Sequence, residues 1–222
     1  MLNHQNLTMF KDEDGKILEA KVVQRYGLGA IYYSLNGSSW VHPKTNSSSC
    51  QWMDGYSECC WNGVSCNGNG TVVQLQLEKL NLTGPIPREA ALLDQLTNLD
   101  MFSNSISGKI PLLPRSLVYL NLKANMLEGS IPRHFFSLKF LNFVDLSNNR
   151  LTGMLSKGFG KLSRLIEFDI SNNLFDGKLP VTIGDMVELR KCSQHMMSIS
   201  RGKKQYIHLL IFILIPSFAP FP

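Results

Sequence analysis

Four cysteines stand close together in the N-terminal third of the chain, and their chemistry is either metal binding or disulfide formation: Cys50, Cys59, Cys60 and Cys66. A zinc site usually has Cys-x-x-Cys pairs, which are missing here, and the nearest histidine, His42, has no second histidine beside it. We therefore predict disulfides, with no metal and no cofactor. Four cysteines allow three pairings, and the one that joins the adjacent Cys59 and Cys60 would be strained.

Groups suited to catalysis do not come together in the sequence. The histidines are scattered along the chain, and none is paired with a nucleophile at a familiar spacing. Residues 63–67, Gly-Val-Ser-Cys-Asn, begin like a nucleophile elbow but lack its final glycine. Asp100, Asp145 and Asp169 could suggest paired carboxylates, but we interpret them as solvated residues at equivalent strand positions. The sequence therefore predicts that the protein is not an enzyme.

A repeated unit must position these residues, because glycines recur at separations of 24, 21, 24 and 24 residues: Gly84, Gly108, Gly129, Gly153 and Gly177. Ahead of each glycine stands an apolar pair separated by one residue, such as Leu120 and Leu122. An asparagine follows the pair by three positions in four of the five units, and an Ile-Pro or Leu-Pro step follows four of the five glycines. Five aligned units at this density indicate a repeat architecture.

The residue types of the unit indicate its local structure. The apolar pair is typical of a short strand that sends both side chains inward. The asparagine amide can hydrogen-bond backbone groups where the chain leaves the strand, glycine allows a positive φ, and proline sets the start of the return path. Because one unit cannot bury its apolar side alone, the units must stack. The predicted fold is therefore an α/β solenoid whose short parallel strands line one concave face.

The units resemble the extracellular plant-type leucine-rich repeat, which reads LxxLxLxxNxLxGxIPxx. Residues 141–155, LNFVDLSNNRLTGML, follow this motif closely, and the resemblance covers residues 71–189. It implies a second short sheet with 3₁₀ or irregular segments on the convex side, and a recognition surface on the array. The third unit is three residues short between Gly108 and Gly129, so we expect a local change of curvature there. The repeat register ends at Leu189.

A cap is expected before the first repeat, because the end of a solenoid exposes its core. Residues 22–35 have apolar side chains at helical spacing and end at Asn36-Gly37, a helix stop signal. The string Cys-Cys-Trp-Asn-Gly-Val-Ser-Cys at residues 59–66 is similar to the cysteine cap of plant receptor-like proteins and polygalacturonase inhibitors. That resemblance implies the disulfides Cys50–Cys59 and Cys60–Cys66, with Trp61 packed beside them over the first strand.

The outward residues of the strands define a candidate ligand-binding surface. Phe102, Tyr119 and Phe143 fall on neighbouring strands of an otherwise polar face, as an aromatic strip. Exposed aromatic residues with polar neighbours are typical of interface hot spots. The alternative that these rings stack on one another to cover the face stays open. The remaining candidates are the polar members of the same columns: Asp100, Asn121, Lys123, Asp145 and Asp169.

An extracellular or cell-surface location follows from the predicted disulfides, because structural disulfides persist in oxidising compartments. Asn-x-Ser/Thr acceptor sites for glycosylation agree with it: Asn6, Asn36, Asn46, Asn69 and Asn81. All of them precede the second repeat, which leaves the later concave face free of glycan. Charged residues interrupt residues 1–20 where a secretion signal has an apolar run, so we expect no signal peptide there.

The excess of positive charge lies in the C-terminal tail. Residues 1–189 hold 17 basic and 17 acidic side chains, and the whole net charge of +5 comes from residues 190–222. A nucleic-acid-binding surface carries its charge on the folded body, so we expect no nucleic-acid partner. Residues 207–221 are mostly apolar but shorter than the ~20 residues of a membrane span. This tail is interpreted as an artefact such as a misread exon boundary, which is favoured. A short or atypical membrane anchor, a cleaved lipid-anchor signal and a genuine disordered or docked tail stay open as alternatives.

Four segments result: a disordered or truncated segment at 1–21, a cap at 22–70, five repeats at 71–189, and a non-repeat basic then hydrophobic tail at 190–222. The resemblance implies a receptor-like ectodomain, or a fragment of one, that binds a peptide or protein on its concave face, with a co-receptor as a further partner. Any membrane association would run through the tail or a missing segment. A soluble inhibitor of cell-wall-degrading enzymes and a structural or adhesive surface protein are the alternatives. Inhibitors of that type have longer arrays and a C-terminal cysteine cap, whereas only Cys192 follows the array here.

Overall fold

The computed structural model describes residues 19–41, 50–176, 180–186, 188–200 and 203–211. Two of the expected glycosylation sites, Asn6 and Asn46, lie outside the described residues, as do most of the segment expected to be disordered or truncated and the end of the tail. Within the described residues, no helix is long and apolar enough to span a membrane.

The N-terminal cap begins with helix α1, Glu19–Ser34, which starts three residues before the expected position. Residues 19–21 therefore belong to the cap helix rather than to the preceding segment. The helix buries Leu28 against the first repeat. Gly27 permits this close packing, because a Cβ there would lie 3.2 Å from the carbonyl oxygen of Glu89. Beyond the helix, Asn36 adopts a left-handed φ of 57°, which agrees with the expected helix stop.

Two sheets of short strands run along the solenoid. The concave sheet comprises β1 Val64–Cys66, β2 Val72–Gln76, β4 Asn98–Asp100, β6 Tyr119–Asn121, β8 Phe143–Asp145, β10 Glu167–Asp169, β12 Lys191–Ser200 and β13 Lys203–Ile211, side by side in that order. The second sheet comprises β3 Thr83–Pro85, β5 Ser105–Gly108, β7 Met126–Gly129, β9 Arg150–Met154 and β11 Leu174–Asp176. This arrangement confirms the predicted fold.

Strand register in the concave sheet follows the repeat. The inward residues Leu99, Leu120 and Val144 are direct partners on successive parallel strands, and each is at most 1% exposed. Burial of such side chains stabilises a fold by about 1.5–3 kcal/mol each. The outward residues on either side of them therefore also line up in columns, one residue per strand.

Five-residue 3₁₀ turns form the convex side of four units: Arg88–Leu92, Arg133–Ser137, Lys157–Lys161 and Val181–Asp185. The third unit, which is described throughout residues 109–118, has no such turn. Its shortening removes three residues. In addition, Pro114 stands at the position where Ala90 and Phe135 donate the backbone hydrogen bond that closes the turn, and proline has no amide hydrogen to donate. The expected change of curvature at this unit stays a prediction.

Asparagines connect consecutive units, as their position in the repeat indicated. The Asn125 side chain accepts a hydrogen bond from the Ile106 amide at 3.0 Å and donates to the carbonyls of Met101 at 2.9 Å and Leu122 at 3.1 Å. Asn104, Asn149 and Asn173 make the equivalent bonds in their own units. Each side chain thus satisfies backbone groups of its own unit and of the unit before it.

Both disulfides of the cap are present, but the expected pairing is wrong: the bonds are Cys50–Cys60 and Cys59–Cys66. The backbone explains the difference. Cys59 and Cys60 end a 3₁₀ turn, Glu58–Cys60, and Cys50 forms a parallel β-bridge with Trp61, which places it next to Cys60. Cys59 is left facing the β1–β2 hairpin, where Cys66 lies.

Trp61 fills the centre of the cap, as expected beside the disulfides. Its side chain is 1% exposed, and its ring lies 5.1 Å from that of Trp52. The indole Nε1 donates to Asp54 at 2.9 Å, and the guanidinium of Arg25 lies 4.9 Å from the ring centre. Helix, disulfide loop and first strand are therefore joined around one buried tryptophan.

The concave sheet continues beyond the expected repeat boundary at Leu189. β12 pairs in parallel with β10, with Lys191 beside Glu167, and then turns back into the antiparallel β13. The backbone of residues 191–193 thus extends the sheet by one strand. The hairpin that follows differs from the repeating unit, and the extent of the tail domain at 190–222 stays a prediction.

Candidate functional site

Three outward columns cross the middle of the concave sheet. The first contains Tyr119, Phe143 and Glu167, which are direct partners on β6, β8 and β10. The second, two residues further along each strand, contains Asp100, Asn121, Asp145 and Asp169. The third begins two residues after the second and contains Phe102, Lys123, Ser147 and Ser171. The candidate ligand-binding residues therefore lie on one continuous face.

Tyr119 and Phe143 form a stacked aromatic pair on this face. Their ring centroids are 4.5 Å apart and their planes differ by 7°, and both side chains are half-buried. Phe102 is not part of the stack, because it lies in the third column, where the Lys79 ammonium is 5.4 Å from its ring centre. The structure thus contains a stacked pair and a separate ring where the sequence indicated one aromatic strip.

Asp100 organises the polar surroundings of the stack. One carboxylate oxygen accepts a hydrogen bond from the Tyr119 hydroxyl at 3.2 Å and another from the Asn121 amide at 3.1 Å. The other oxygen accepts from the Phe102 backbone amide at 2.9 Å. Partial burial, followed by the negative charge of Asp100, raises the pKa of Tyr119 above its ordinary value of 10.0. Tyr119 is therefore a neutral hydrogen-bonding group at physiological pH.

Asp145 differs from the solvated residue that the sequence indicated, because it is only 8% exposed. One oxygen accepts from the Ser147 backbone amide at 2.9 Å and from its hydroxyl at 2.6 Å, and the other lies 3.5 Å from the Lys123 ammonium. Its burial follows from this position between Lys123, Phe143 and the next strand. Asp169 is half-buried and makes the equivalent backbone bond, to the Ser171 amide at 2.9 Å.

A pocket of about 100 Å³ opens between β8 and β10. Its walls are Lys123, Phe143, Asp145, Glu167 and Asp169, and the buried strand residues Val144 and Phe168 form its floor. Glu167 was not among the predicted site residues. Its place in the same column as Tyr119 and Phe143 could have identified it from the repeat alone. Within the described residues, no group of three or more side chains could hold a metal ion.

Three of the predicted glycosylation sites lie at the surface and away from this pocket. Asn36 follows helix α1, Asn69 lies in the β1–β2 turn, and Asn81 precedes β3; all three are exposed. Their positions at the cap and first repeat leave the columns of β6, β8 and β10 accessible. Glycosylation at these residues stays a prediction.

The fold and this face define a capped, parallel repeat solenoid with variable residues on a concave sheet. A family model described as Leucine Rich Repeat matches residues 95–117, 116–138, 140–162 and 164–186. The chain belongs to the leucine-rich repeat family, in the plant receptor-like form that the repeat motif indicated.

Similar proteins are receptor-like proteins of Arabidopsis thaliana. The LRR receptor-like serine/threonine-protein kinase GSO2 is 36% identical over 109 residues, which cover 47% of this chain and 9% of that protein. Among solved structures, the BIR2 ectodomain is 32% identical with a TM-score of 0.57, covering 72% of this chain and 84% of that one. The receptor kinase HAESA, solved with the peptide hormone IDA and the co-receptor SERK1, is 28% identical with a TM-score of 0.63, covering 78% of this chain and 28% of that one. This chain thus spans about a tenth of GSO2.

Proposed function

We propose that this chain is a ligand-recognition module of an extracytoplasmic receptor-like protein, and that it binds a peptide or protein on its concave face. The observation that carries the proposal is the stacked pair Tyr119 and Phe143 in the middle of that face. Half-buried aromatic residues surrounded by polar groups supply a large contact area, which is the usual composition of an interface hot spot.

The relatives support a peptide ligand and a co-receptor as the partners of this module. HAESA has been solved with both a peptide hormone and the co-receptor SERK1, and the similar GASSHO1/SCHENGEN3 ectodomain has been solved with CASPARIAN STRIP INTEGRITY FACTOR 2. An extended peptide laid across parallel strands would meet one side chain from each column at every repeat, about 4.8 Å apart. Specificity would then come from the outward columns alone.

The cap supports an oxidising, extracytoplasmic location. Two disulfides in a small region persist only where thiols are not kept reduced. In this location the module would bind without a chemical step, since the face offers hydrogen bonds, aromatic rings and charge rather than an activated nucleophile.

Selection from a displayed random peptide library tests this function. We expect the purified full chain to select peptides that bind the Tyr119→Ala variant more weakly, with a binding free energy less favourable by about 1–3 kcal/mol. Leu174→Ala is the matched control, because Leu174 is 57% exposed on the second sheet and should leave binding unchanged. Peptides that bind both variants equally well, or a library without any binder, would contradict recognition on the concave face.

A further inference from the structure

The pocket between β8 and β10 has the chemistry to select one kind of ligand side chain. We infer that it receives a cationic side chain, arginine or lysine, of the peptide that the concave face binds. This inference rests on the proposed function and adds the chemical class of the ligand to it.

Two carboxylates face each other directly across the pocket. Asp145 and Asp169 are register partners on the adjacent strands β8 and β10, and both side chains point to the concave side. Like charges directly opposite on neighbouring strands repel each other. The repulsion is strengthened because Asp145 is buried. A cation placed between the two carboxylates would relieve it.

Lys123 pairs with Asp145, which leaves Asp169 as the carboxylate available to a ligand. The Lys123 ammonium lies on the Asp145 side, 3.5 Å from its carboxylate, and the Lys123 side chain is 38% exposed. Asp169 uses one oxygen for the Ser171 amide. Asp169 is also a wall of the pocket.

An aromatic ring completes the pocket on the side opposite Glu167. Phe143 forms the wall, and its ring is held in place by the stack with Tyr119. A guanidinium or ammonium group is attracted to such a ring face as well as to carboxylates. The volume of about 100 Å³ holds several water molecules and therefore a planar guanidinium. A neutral side chain would not balance the carboxylates, and an acidic one would meet three carboxylates against the single ammonium of Lys123.

The experiment uses N-acetyl-arginine amide as the probe, titrated into the isotope-labelled full chain and followed by NMR. The amides of Ser147 and Ser171 report on the pocket, because they donate to Asp145 and Asp169. We expect their signals to shift in a saturable way. The neutral isostere N-acetyl-citrulline amide should leave them in place.

Asp169→Asn is the informative variant, because the amide oxygen can still accept from Ser171 while the charge is lost. We expect it to weaken binding of the arginine probe at least tenfold. The matched control is Asp176→Asn, an exposed carboxylate on the second sheet, which should bind as the parent does. Equal shifts with arginine and citrulline probes, or equal affinity in Asp169→Asn, would overturn the inference.

The peptide selection separates this inference from the proposed function. Selected peptides that depend on Tyr119 and carry a common arginine or lysine support both. Some peptides could depend on Tyr119, carry no enriched arginine or lysine, and bind the parent chain and Asp169→Asn equally well. That result would leave the proposed function intact and overturn the cationic pocket. The absence of any Tyr119-dependent peptide overturns both.

Discussion

Removal of the Asn149 side chain tests the bonds that join consecutive units. Asn149 is 8% exposed. Its oxygen accepts from the Leu127 amide at 3.0 Å, and its nitrogen donates to the carbonyls of Leu122 at 2.9 Å and Leu146 at 3.1 Å. The two carbonyls each keep a second donor, Asn125 or Asn173. Asn149→Ala therefore leaves chiefly the buried Leu127 amide without its partner.

The expected cost in the free energy of unfolding is about 2–4 kcal/mol. An unsatisfied buried amide costs about 1–3 kcal/mol, and the weakened carbonyl bonds add about 1 kcal/mol. Urea unfolding followed by circular dichroism measures the loss as a lower midpoint at constant slope.

Asn98→Ala serves as the control for this measurement. Asn98 is half-buried at the start of β4 and accepts a hydrogen bond from the Thr97 hydroxyl, which also lies within reach of the Val73 carbonyl. We expect it to cost less than about 1 kcal/mol. Equal losses in the two variants would show that the recurrence of asparagine at this position reflects a general preference for a polar residue rather than bonds between units.

Three further predictions concern the cap, the core and the stack. Replacing Cys59 and Cys66 together with serine should lower the free energy of unfolding by about 2 kcal/mol for a loop of seven residues, and peptide mapping of the oxidised chain should recover Cys50 linked to Cys60. Leu146→Ala should cost about 2–5 kcal/mol through a cavity, whereas Phe143→Ala, at a half-buried site, should cost clearly less in the same urea assay. Tyr119 should ionise at a higher pH than free tyrosine, and Asp100→Asn should lower the pKa of Tyr119 only in part, because burial is the larger cause of the shift. The titration is followed by ultraviolet difference spectra, with Tyr119→Phe as the reference that lacks this hydroxyl. A midpoint that Asp100→Asn leaves unchanged would contradict the prediction.

Residue spacing predicted the strands because inward side chains must repeat to build a continuous core. Leu120 and Val144 are partners in the structure for the same reason that they align in the sequence. The asparagine position was equally predictable, since every unit leaves the same backbone groups unpaired. The fold is therefore predictable from periodicity wherever the residue at one repeat position has the same structural role in each unit.

Features that occur once were harder to predict. The disulfide pairing depends on the 3₁₀ turn that ends at Cys60 and on the bridge from Cys50 to Trp61, and neither leaves a repeating pattern. The burial of Asp145 depends on Lys123, which follows the neighbouring strand β6, and on Phe143 of its own strand, both of which line the same pocket. Sequence columns show which residues share a face, but the reach of each side chain decides which of them touch.

The second column shows how one residue can serve both the fold and the surface. Asp100, Asn121, Asp145 and Asp169 each use one side-chain oxygen to accept from the backbone amide two residues later. This bond holds the end of the strand and fixes the orientation of the side chain. The remaining oxygen or amide then points across the sheet, toward Tyr119 and Asn121 at one strand and toward Lys123 at another. A short acidic or amide residue is thus favoured at this position by the strand itself. Because the remaining oxygen or amide is also held in place, the concave face is a rigid array of polar groups. Binding of a ligand therefore costs little conformational entropy in these side chains.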